Sequence, residues 1–288
     1  PNMPYVAVAE ADHYYLWVTE PGYAPSGSKP AMVFIHGWGG SCRYWRSTAR
    51  ALSPQFDCLL YDMRGFGRSH IAAVNREMVL ARGYELETFA DDLAELLETF
   101  NLETVWLNSH STGASVAVFF LNQYAHRVER AILTCNGVFE YDKKAFEAFY
   151  KFGGYVVSFR PAWLKRIPLA PRVFMSRFLS SPIPAAEKVA FLEDYLEADG
   201  DVALGTVYTA VSKRATEVMP VAFEQITVPS LLVSGQYDQI TPAKLGKAAA
   251  DLNPEAIKYV EIANTGHFPM LEDPQTYLRE VHTFLKAT

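Results

Sequence analysis

The segment VWLNSHSTGAS, residues 105–115, decides the fold of this 288-residue chain. It opens as an apolar run, passes through small polar residues, and continues as a helical pattern from Thr112 onward. Ser111 stands at the apex of the predicted strand-to-helix turn, with Ser109 and Gly113 two positions away on either side. A nucleophile held in a strained turn of this kind needs small residues at those two positions. The pattern therefore predicts a nucleophilic serine at position 111.

One position of this turn differs from the usual G-x-S-x-G pattern, because Ser109 stands where glycine is usual. Serine is still small, so the turn remains feasible. The segment by itself leaves a second interpretation open, in which Ser111 or Thr112 only caps the helix by accepting a backbone hydrogen bond. The other loops of the chain decide between the two.

Short apolar runs alternate with helical patterns on both sides of this segment, which is typical of a mainly parallel sheet with crossover helices. Predicted strands cover residues 13–19, 32–36, 56–61, 104–108, 131–135, 230–234 and 258–262. Predicted helices cover residues 87–100, 112–124, 242–252 and 274–285. Residues 140–220 break the alternation, since they are helix-like, aromatic and interrupted by prolines. We therefore predict an α/β core from residues 1–139 and 221–288, with a helical cap from residues 140–220.

A glycine-rich loop follows the second predicted strand. Glycines allow backbone N–H groups to face a negative charge that develops during a reaction. We predict that the N–H groups of Trp38 and Thr112 form an oxyanion hole. The residues expected to support this loop are His36, Gly37 and Gly39. The alternative is a glycine turn that only closes a strand–helix unit.

Two later loops supply an acid and a base. Asp238 follows a predicted strand within residues 235–242, and His267 follows the last predicted strand within residues 264–269. From such loops an aspartate can reach a histidine. Taken singly, Asp238 could be a turn residue or a helix cap, and a lone histidine is usually structural.

Together, these loops resemble the α/β-hydrolase superfamily, in its cap-bearing branch of esterases, lactonases, carbon–carbon bond hydrolases and cofactor-free haloperoxidase-like enzymes. The matching segments are residues 36–40, residues 62–69, the turn at Ser111, residues 235–242 and residues 266–267. The resemblance implies an α/β-hydrolase fold, a mostly parallel eight-stranded sheet flanked by helices, with a lid between the sixth and seventh strands. It also implies a catalytic triad, whose members follow in the chain order that this fold uses: Ser111, Asp238 and His267.

The same resemblance gives roles to two further places in the chain. Asp62 and Arg64 are expected to brace the loop beside the oxyanion turn, and His110 is expected to pack away from the triad. Epoxide hydrolases and haloalkane dehalogenases carry aspartate as the nucleophile, so Ser111 disfavours their reactions. We expect a serine hydrolase that acts on an ester, thioester or lactone of a hydrophobic substrate, without cofactor or metal. Carbon–carbon bond hydrolysis, acyl transfer or perhydrolysis, and a non-catalytic ligand-binding protein remain alternatives.

The composition of the chain limits the classes of partner and the locations that we expect. The net charge of −6 argues against broad nucleic-acid binding, which needs a basic footprint. The cysteines are odd in number and widely spaced, which argues against a disulfide framework or a zinc site. No apolar stretch reaches the roughly 18–20 residues of a membrane span, and no signal peptide is visible. We therefore expect a cytoplasmic location and no transmembrane segment.

The predicted cap has two unusual features. Its aromatic side chains could in part line an apolar pocket, which predicts a small hydrophobic acyl or aromatic substrate: Phe146, Phe149, Tyr150, Phe152, Tyr155, Phe159, Trp163, Phe174 and Phe178. Residues 142–179 also hold eight basic and two acidic residues. This excess of positive charge fits a solvated helical face, or else a docking site for an acidic carrier protein, an anionic substrate or a lipid surface.

Overall fold

The computed structural model of the protein describes residues 4–20, 25 and 27–287, apart from the side chain of Phe149. Its strands are β1 (Tyr5–Val8), β2 (Ala11–Val18), β3 (Ala31–Ile35), β4 (Asp57–Tyr61), β5 (Val105–His110), β6 (Val128–Thr134), β7 (Ser230–Gly235) and β8 (Ile257–Ile262). They form one sheet in the order β1-β2-β4-β3-β5-β6-β7-β8. β2 pairs antiparallel with both β1 and β4, and every other pair is parallel. The predicted eight-stranded, mostly parallel sheet is confirmed.

The helices of the described residues connect and cover these strands. They are α1 (Arg46–Leu52), α2 (Arg76–Ala81), α3 (Leu86–Thr99), α4 (Thr112–Gln123), α5 (Lys143–Ser158), α6 (Ala170–Met175), α7 (Ala185–Glu197), α8 (Gly200–Ala210), α9 (Lys213–Glu224), α10 (Ala243–Asp251), α11 (Pro269–Glu272) and α12 (Pro274–Lys286). Short 3-10 helices lie at Cys42–Trp45, Ala73–Asn75, Ala125–Arg127 and Ala162–Arg166. Among these described helices, none is both long and apolar enough to cross a bilayer.

The sheet is buried on both faces, which is why its central strands are continuous apolar runs. Alternate residues of β3 show this directly. Met32 and Phe34 pack with α1 and α12, whereas Val33 and Ile35 pack with α3 and α4. Successive side chains of a strand point to opposite faces, so each face buries half of every strand. Because most of the strands are parallel, their carboxyl ends lie at one common edge of the sheet. That edge carries the candidate site.

The segment between β6 and β7 contains α5 to α9 and no strand within its described residues. Helix α9 contacts α4 and α10, and its Met219, Ala222 and Phe223 join the main core. The predicted boundary at residue 220 therefore falls within a helix that packs against α4 and α10, two helices of the predicted core. Division of the chain into a core and a cap remains a prediction.

The sequence prediction missed the edge strand β1. Val8 pairs with Ala11, so a two-residue turn joins β1 to β2. Both turn residues, Ala9 and Glu10, have positive φ angles of 49° and 64°. Such turns usually contain glycine or asparagine, and this hairpin lacks that signal.

Candidate active site

Ser111 lies in a sharp turn between β5 and α4. Its backbone has φ 54° and ψ −123°, a conformation that L-residues rarely adopt. Gly113 is required beside it, because a Cβ there would lie 2.2 Å from the carbonyl oxygen of His36. Ser109 fits the turn because its buried hydroxyl donates a hydrogen bond of 2.8 Å to the carbonyl oxygen of Ile132 on β6. The departure from glycine at position 109 is thus accommodated by the neighbouring strand.

In the structure, the side chains of Ser111, His267 and Asp238 are joined by two hydrogen bonds. Nε2 of His267 is 2.9 Å from Oγ of Ser111, and Nδ1 of His267 is 2.7 Å from Oδ2 of Asp238. Asp238 is buried, and its other carboxylate oxygen accepts the N–H groups of Ile240 and Thr241 at 2.8 and 3.0 Å. These contacts fix the carboxylate, which in turn fixes the orientation of the imidazole ring.

The glycine-rich loop after β3 lies against these side chains. Nδ1 of His36 donates to the carbonyl oxygen of Gly37 at 2.8 Å, and its Nε2 accepts the N–H of Met63 at 2.8 Å. A Cβ on Gly37 would lie only 3.1 Å from Cβ of Ser111. Gly39 has a φ angle of 72°, which favours glycine. His36, Gly37 and Gly39 therefore shape the loop.

The two predicted oxyanion donors flank the same space. Trp38 is anchored by its indole Nε1–H, which donates to the carbonyl oxygen of Ala203 on α8 at 2.9 Å. Thr112 is the first residue of α4, where a helix leaves its N–H groups without intrahelical partners. Within the described chain, neither the Trp38 nor the Thr112 backbone N–H has a hydrogen-bond partner. Both are free to bind an oxyanion.

A small cavity of about 10 Å³ adjoins these two residues. Its walls are apolar apart from two threonines, and they comprise Trp38, Met63, Phe66, Leu86, Phe89, Thr112, Val116 and Thr206. This volume matches about one water molecule. A much larger groove of about 690 Å³ opens at Val138–Tyr141 and the start of α10, but none of the predicted triad residues lines it.

A chain of buried hydrogen bonds joins the loops of the site. The N–H of Gly37 donates to Oη of Tyr44 at 2.5 Å, and Oη of Tyr44 lies 2.9 Å from Nδ1 of His110. Nε2 of His110 lies 2.6 Å from the carbonyl oxygen of His267, so it must carry the hydrogen. Burial lowers the pKa of His110 well below its usual value, so the ring is neutral and Nδ1 accepts from Tyr44. His110 therefore connects the loops as well as packing between them.

Sequence reasoning missed Glu272. Its carboxylate accepts the N–H groups of Gly266 and Phe268, on either side of His267, at distances of 2.9 to 3.0 Å. It also accepts the N–H groups of Ser180 and Ser181 at 2.6 and 2.8 Å. Glu272 thus fixes the histidine loop and joins it to the segment before α7. The acidic residue five positions after the histidine was the available signal, but only the fold shows what it contacts.

The predicted brace at residues 62–69 is present. Asp62 accepts the N–H groups of Cys42 and Arg68 at 2.7 and 2.8 Å, and Arg64 forms a buried ion pair with Asp92 at 3.1 Å. The sequence did not predict Asp194 of α7 as a further partner of the oxyanion loop. Its carboxylate accepts the hydroxyl of Ser41 at 2.6 Å and pairs with Arg43 at 3.2 Å.

Three side chains of the site have a spacing that resembles a metal centre. His110, Cys135 and His267 each place one potential ligand atom within 4.8 Å of the others. All four ring nitrogens of the two histidines already have hydrogen-bond partners. Burial raises the pKa of the Cys135 thiol well above its usual value, so the sulfur keeps its proton. The cluster does not fit a metal ion.

The aromatic residues of the segment after β6 divide into two groups. Phe174 and Phe178 point inward, where the ring of Phe178 lies 6.1 Å from that of His267. Tyr195 of α7 likewise lies 6.1 Å from the ring of Trp38. The remaining aromatic residues at 150–163 are exposed, while the side chain of Phe149 lies outside the described residues.

Comparisons with known proteins agree with this architecture. The sequence profile described as alpha/beta hydrolase fold matches residues 30–274. A soluble epoxide hydrolase from Corynebacterium sp. (strain C12) is 27% identical over 277 residues, covering 88% of this chain and 89% of that protein. The crystal structure of the enol-lactonase from Burkholderia xenovorans LB400 aligns with a TM-score of 0.77 at 20% identity, over 99% of this chain and 100% of that one. An esterase from Exiguobacterium antarcticum aligns with a TM-score of 0.78 at 18% identity, over 98% and 99%.

The two aligned structures demonstrate a shared fold, and the profile covers far more than half of the chain. The predicted resemblance is confirmed. The chain belongs to the alpha/beta hydrolase fold family.

Proposed function

We propose that the protein is a serine hydrolase that cleaves an ester-type bond, in an ester, a thioester or a lactone. One observation carries the proposal, namely the hydrogen-bonded line from Ser111 through His267 to Asp238, with distances of 2.9 and 2.7 Å. A hydroxyl is a weak nucleophile unless a base removes its proton, and a base works best when a third group holds it in place. This line supplies all three groups.

The first half of the reaction acylates the serine. His267 takes the proton of Ser111 through Nε2 while Oγ bonds to the substrate carbonyl carbon, and the carbonyl oxygen becomes an oxyanion. The free N–H groups of Trp38 and Thr112 bind this oxyanion, and each such donor contributes about 3–4 kcal/mol in comparable sites. The intermediate collapses, the bond to the leaving group breaks, and His267 gives its proton to the departing oxygen or sulfur.

The second half releases the acid. Water loses a proton to His267 and attacks the acyl carbon, which gives a second oxyanion in the same place. Collapse breaks the bond to Oγ of Ser111, and His267 returns the proton to the serine. Asp238 holds the tautomer of the ring and stabilises the imidazolium in both halves. The protein ends each cycle unchanged, and the reaction needs no further reactant besides water.

The substrate is hydrophobic, and its acyl group is short. The apolar cavity beside the oxyanion donors has a volume of only about 10 Å³, which supports an acyl group with little more than a methyl substituent. The inward aromatic rings of Phe174, Phe178 and Tyr195 contact one another and reach His267 and Trp38. They favour an apolar leaving group.

Other reactions of the family have less support. The relative from Corynebacterium is named as an epoxide hydrolase. Opening an epoxide through an ester intermediate needs a carboxylate nucleophile, and position 111 is serine. Carbon–carbon bond hydrolysis, acyl transfer and perhydrolysis would use the same triad, so product analysis separates them from ester hydrolysis. A binding protein without chemistry would not need Asp238 to be held by two backbone N–H groups.

A panel of p-nitrophenyl esters of increasing acyl length, together with lactones and thioesters, tests the proposal. The unchanged protein should hydrolyse short esters, and Ser111→Ala should reduce kcat by at least about 10³-fold. Ser176→Ala serves as the matched control, because it removes an exposed serine hydroxyl whose hydrogen bond goes to Val173 and not to the triad. No turnover on the whole panel, or equal turnover by Ser111→Ala, would refute ester hydrolysis.

A further inference from the structure

The segment at residues 150–177 turns large apolar side chains toward water. They are Tyr150, Phe152, Tyr155, Phe159, Trp163, Ile167, Leu169 and Val173. Phe152, Phe159 and Val173 are each 67 to 69% exposed. Together with the basic residues of the same segment, these side chains form the aromatic-basic face. Large apolar side chains that are exposed in numbers within one short segment, rather than scattered singly, are typical of an interaction site.

The exposure follows from the helical period of α5. Phe152, Tyr155 and Phe159 are three and four positions apart, so they share one side of the helix. Val157 lies on the opposite side and is buried. Helix α5 contacts α8, which covers its inner side. The outer side is mostly exposed, so its apolar character contributes little to the fold.

The charges of the segment all have one sign. Residues 150–177 contain six basic residues and no acidic residue: Lys151, Arg160, Lys165, Arg166, Arg172 and Arg177. Arg160 is used internally, since its guanidinium donates to the carbonyl oxygens of Tyr195 and Ala198. The other five form no ion pair within the described part of the chain. They present uncompensated positive charge between the exposed rings.

The rest of the molecule is acidic. The chain has 26 basic and 32 acidic residues. Eight of the basic and two of the acidic residues lie at residues 142–179, so the remainder holds 18 basic and 30 acidic residues. The protein is therefore strongly asymmetric in charge. A negatively charged surface would attract the aromatic-basic face and repel the remainder, and so would bind the molecule in one orientation.

We propose that the aromatic-basic face docks on the surface of an anionic lipid bilayer. Lys and Arg interact with lipid phosphates while Trp, Tyr and Phe enter the boundary between headgroups and acyl chains. The bilayer thus satisfies both properties of the face at once. An acidic protein would neutralise the cations, but its carboxylates would leave rings such as Phe152 and Phe159 in a polar setting.

Docking would bring the candidate site close to the bilayer. The segment from α6 continues directly to Phe178, whose carbonyl oxygen accepts the N–H of His267 at 2.7 Å. The same segment ends at Ser180 and Ser181, which Glu272 holds. The docked face is therefore joined to the histidine loop through the residues that follow it directly in the chain, Phe178 to Ser181. The docking itself does not depend on the proposed hydrolysis.

Vesicle flotation of the Ser111→Ala protein tests the docking without any catalytic turnover. We expect binding to vesicles of phosphatidylcholine mixed with phosphatidylglycerol, weak binding to phosphatidylcholine alone, and a loss of binding at high salt. Lys165→Glu combined with Arg166→Glu should weaken binding at least about tenfold. Phe152→Ser combined with Phe159→Ser should weaken it to a similar extent, because it removes the apolar part of the contact.

Matched controls lie outside the face. Lys258→Glu with Lys286→Glu makes the same change in net charge at exposed positions elsewhere, and Val74→Ser with Met78→Ser removes exposed apolar groups elsewhere. Neither pair should change vesicle binding. A melting curve shows that each variant is folded. Fluorescence adds a local readout, because anionic vesicles should shift the emission of exposed Trp163 to shorter wavelength, and Trp163→Phe should abolish that shift.

Three outcomes would overturn the proposal. The first is no binding, or equal binding to neutral and anionic vesicles. The second is equal loss of binding in the control pairs and in the variants of the face. The third is a different occupant of the aromatic-basic face. An acidic protein would be the occupant if the face binds it and does not bind vesicles. A second copy of the chain would be the occupant if the protein self-associates and Phe152→Ser with Phe159→Ser abolishes that association. Because the vesicle test uses the inactive Ser111→Ala protein, none of these outcomes bears on ester hydrolysis, which the ester panel tests separately.

Discussion

Nε2 of His110 donates a hydrogen bond to the carbonyl oxygen of His267, 2.6 Å away. The residue beside the candidate nucleophile is thereby joined to the backbone of the candidate base. On its other side His110 accepts from Tyr44, which accepts from the N–H of Gly37. One buried chain of hydrogen bonds therefore sets the distances among the oxyanion loop, the serine turn and the histidine loop.

Removal of the Tyr44 hydroxyl tests this connection. Tyr44→Phe leaves the Gly37 N–H and Nδ1 of His110 without a partner in a buried place, which costs about 1–3 kcal/mol for each group. We expect the free energy of unfolding to fall and kcat to drop at least about tenfold through displacement of the oxyanion loop. Tyr61→Phe is the matched control, because the buried hydroxyl of Tyr61 has no partner among the described residues. Equal effects of the two changes would contradict the role of Tyr44.

Glu272→Gln should impair the positioning of His267. The carboxylate accepts four backbone N–H groups, and an amide has one acceptor oxygen and an NH₂ group that repels those donors. We expect kcat to fall at least about tenfold with little change in KM, because the histidine loop moves while the substrate contacts stay. Glu261→Gln, at an exposed position of β8, should have no effect. A purely structural role would lower stability and leave the kcat of the folded fraction unchanged.

His13 makes stability depend on pH. Burial lowers the pKa of its imidazole to about 4, and its Nε2 has no partner within the described residues. The unfolded chain therefore binds a proton more readily than the folded protein, so His13 lowers stability as the pH falls from about 6.5 to about 4. The loss amounts to about 3 kcal/mol at most.

Urea unfolding at several pH values measures this effect. His13→Gln should remove that part of the pH dependence, whereas His126→Gln, at an exposed position, should leave it intact. Burial also raises the pKa of Asp92 and of Asp194 to about 6, which has the opposite effect between about pH 6 and 4. The difference between the two histidine variants isolates His13. Parallel curves for both variants would contradict this assignment.

The cavity beside Trp38 and Thr112 should control the length of the acyl group. Val116 on α4 lines it, so Val116→Ala enlarges the space by two methyl groups at a cost of about 2 kcal/mol in stability. We expect the ratio of kcat/KM for p-nitrophenyl butyrate over acetate to rise about tenfold or more. Val118→Ala removes the same groups from the same helix away from the cavity, and it should lower stability only. An unchanged ratio in Val116→Ala would place the acyl group elsewhere.

Much of the core was predictable because its signals are local. Apolar runs located seven of the eight strands, and the signal is clearest in β3, β4 and β7, which are buried throughout. The positions of Ser111, Asp238 and His267 followed from loops after strands, and parallel strands bring their carboxyl ends together. Ser109 was a weak point in the sequence because its partner, the carbonyl oxygen of Ile132, lies on another strand.

The missed features depend on contacts between distant parts of the chain. Glu272 contacts the segment at residues 180–181, some ninety residues earlier in the sequence. Tyr44 is one of 16 tyrosines, and nothing local marks it as the partner of both Gly37 and His110. The sequence also did not show which aromatic residues after β6 point inward and which are exposed. The hydrophobic pattern of that segment does not distinguish the two sides until the positions of its helices are known.

The most direct measurement of the central claim is mass spectrometry of the protein during turnover of a short p-nitrophenyl ester. We predict a covalent adduct with the mass of the acyl group on the peptide that contains Ser111. The adduct should be present in the unchanged protein when the reaction is quenched with acid during turnover, and it should be absent in Ser111→Ala. Turnover of the ester without any acyl adduct at Ser111, or with an adduct at another residue, would contradict the account.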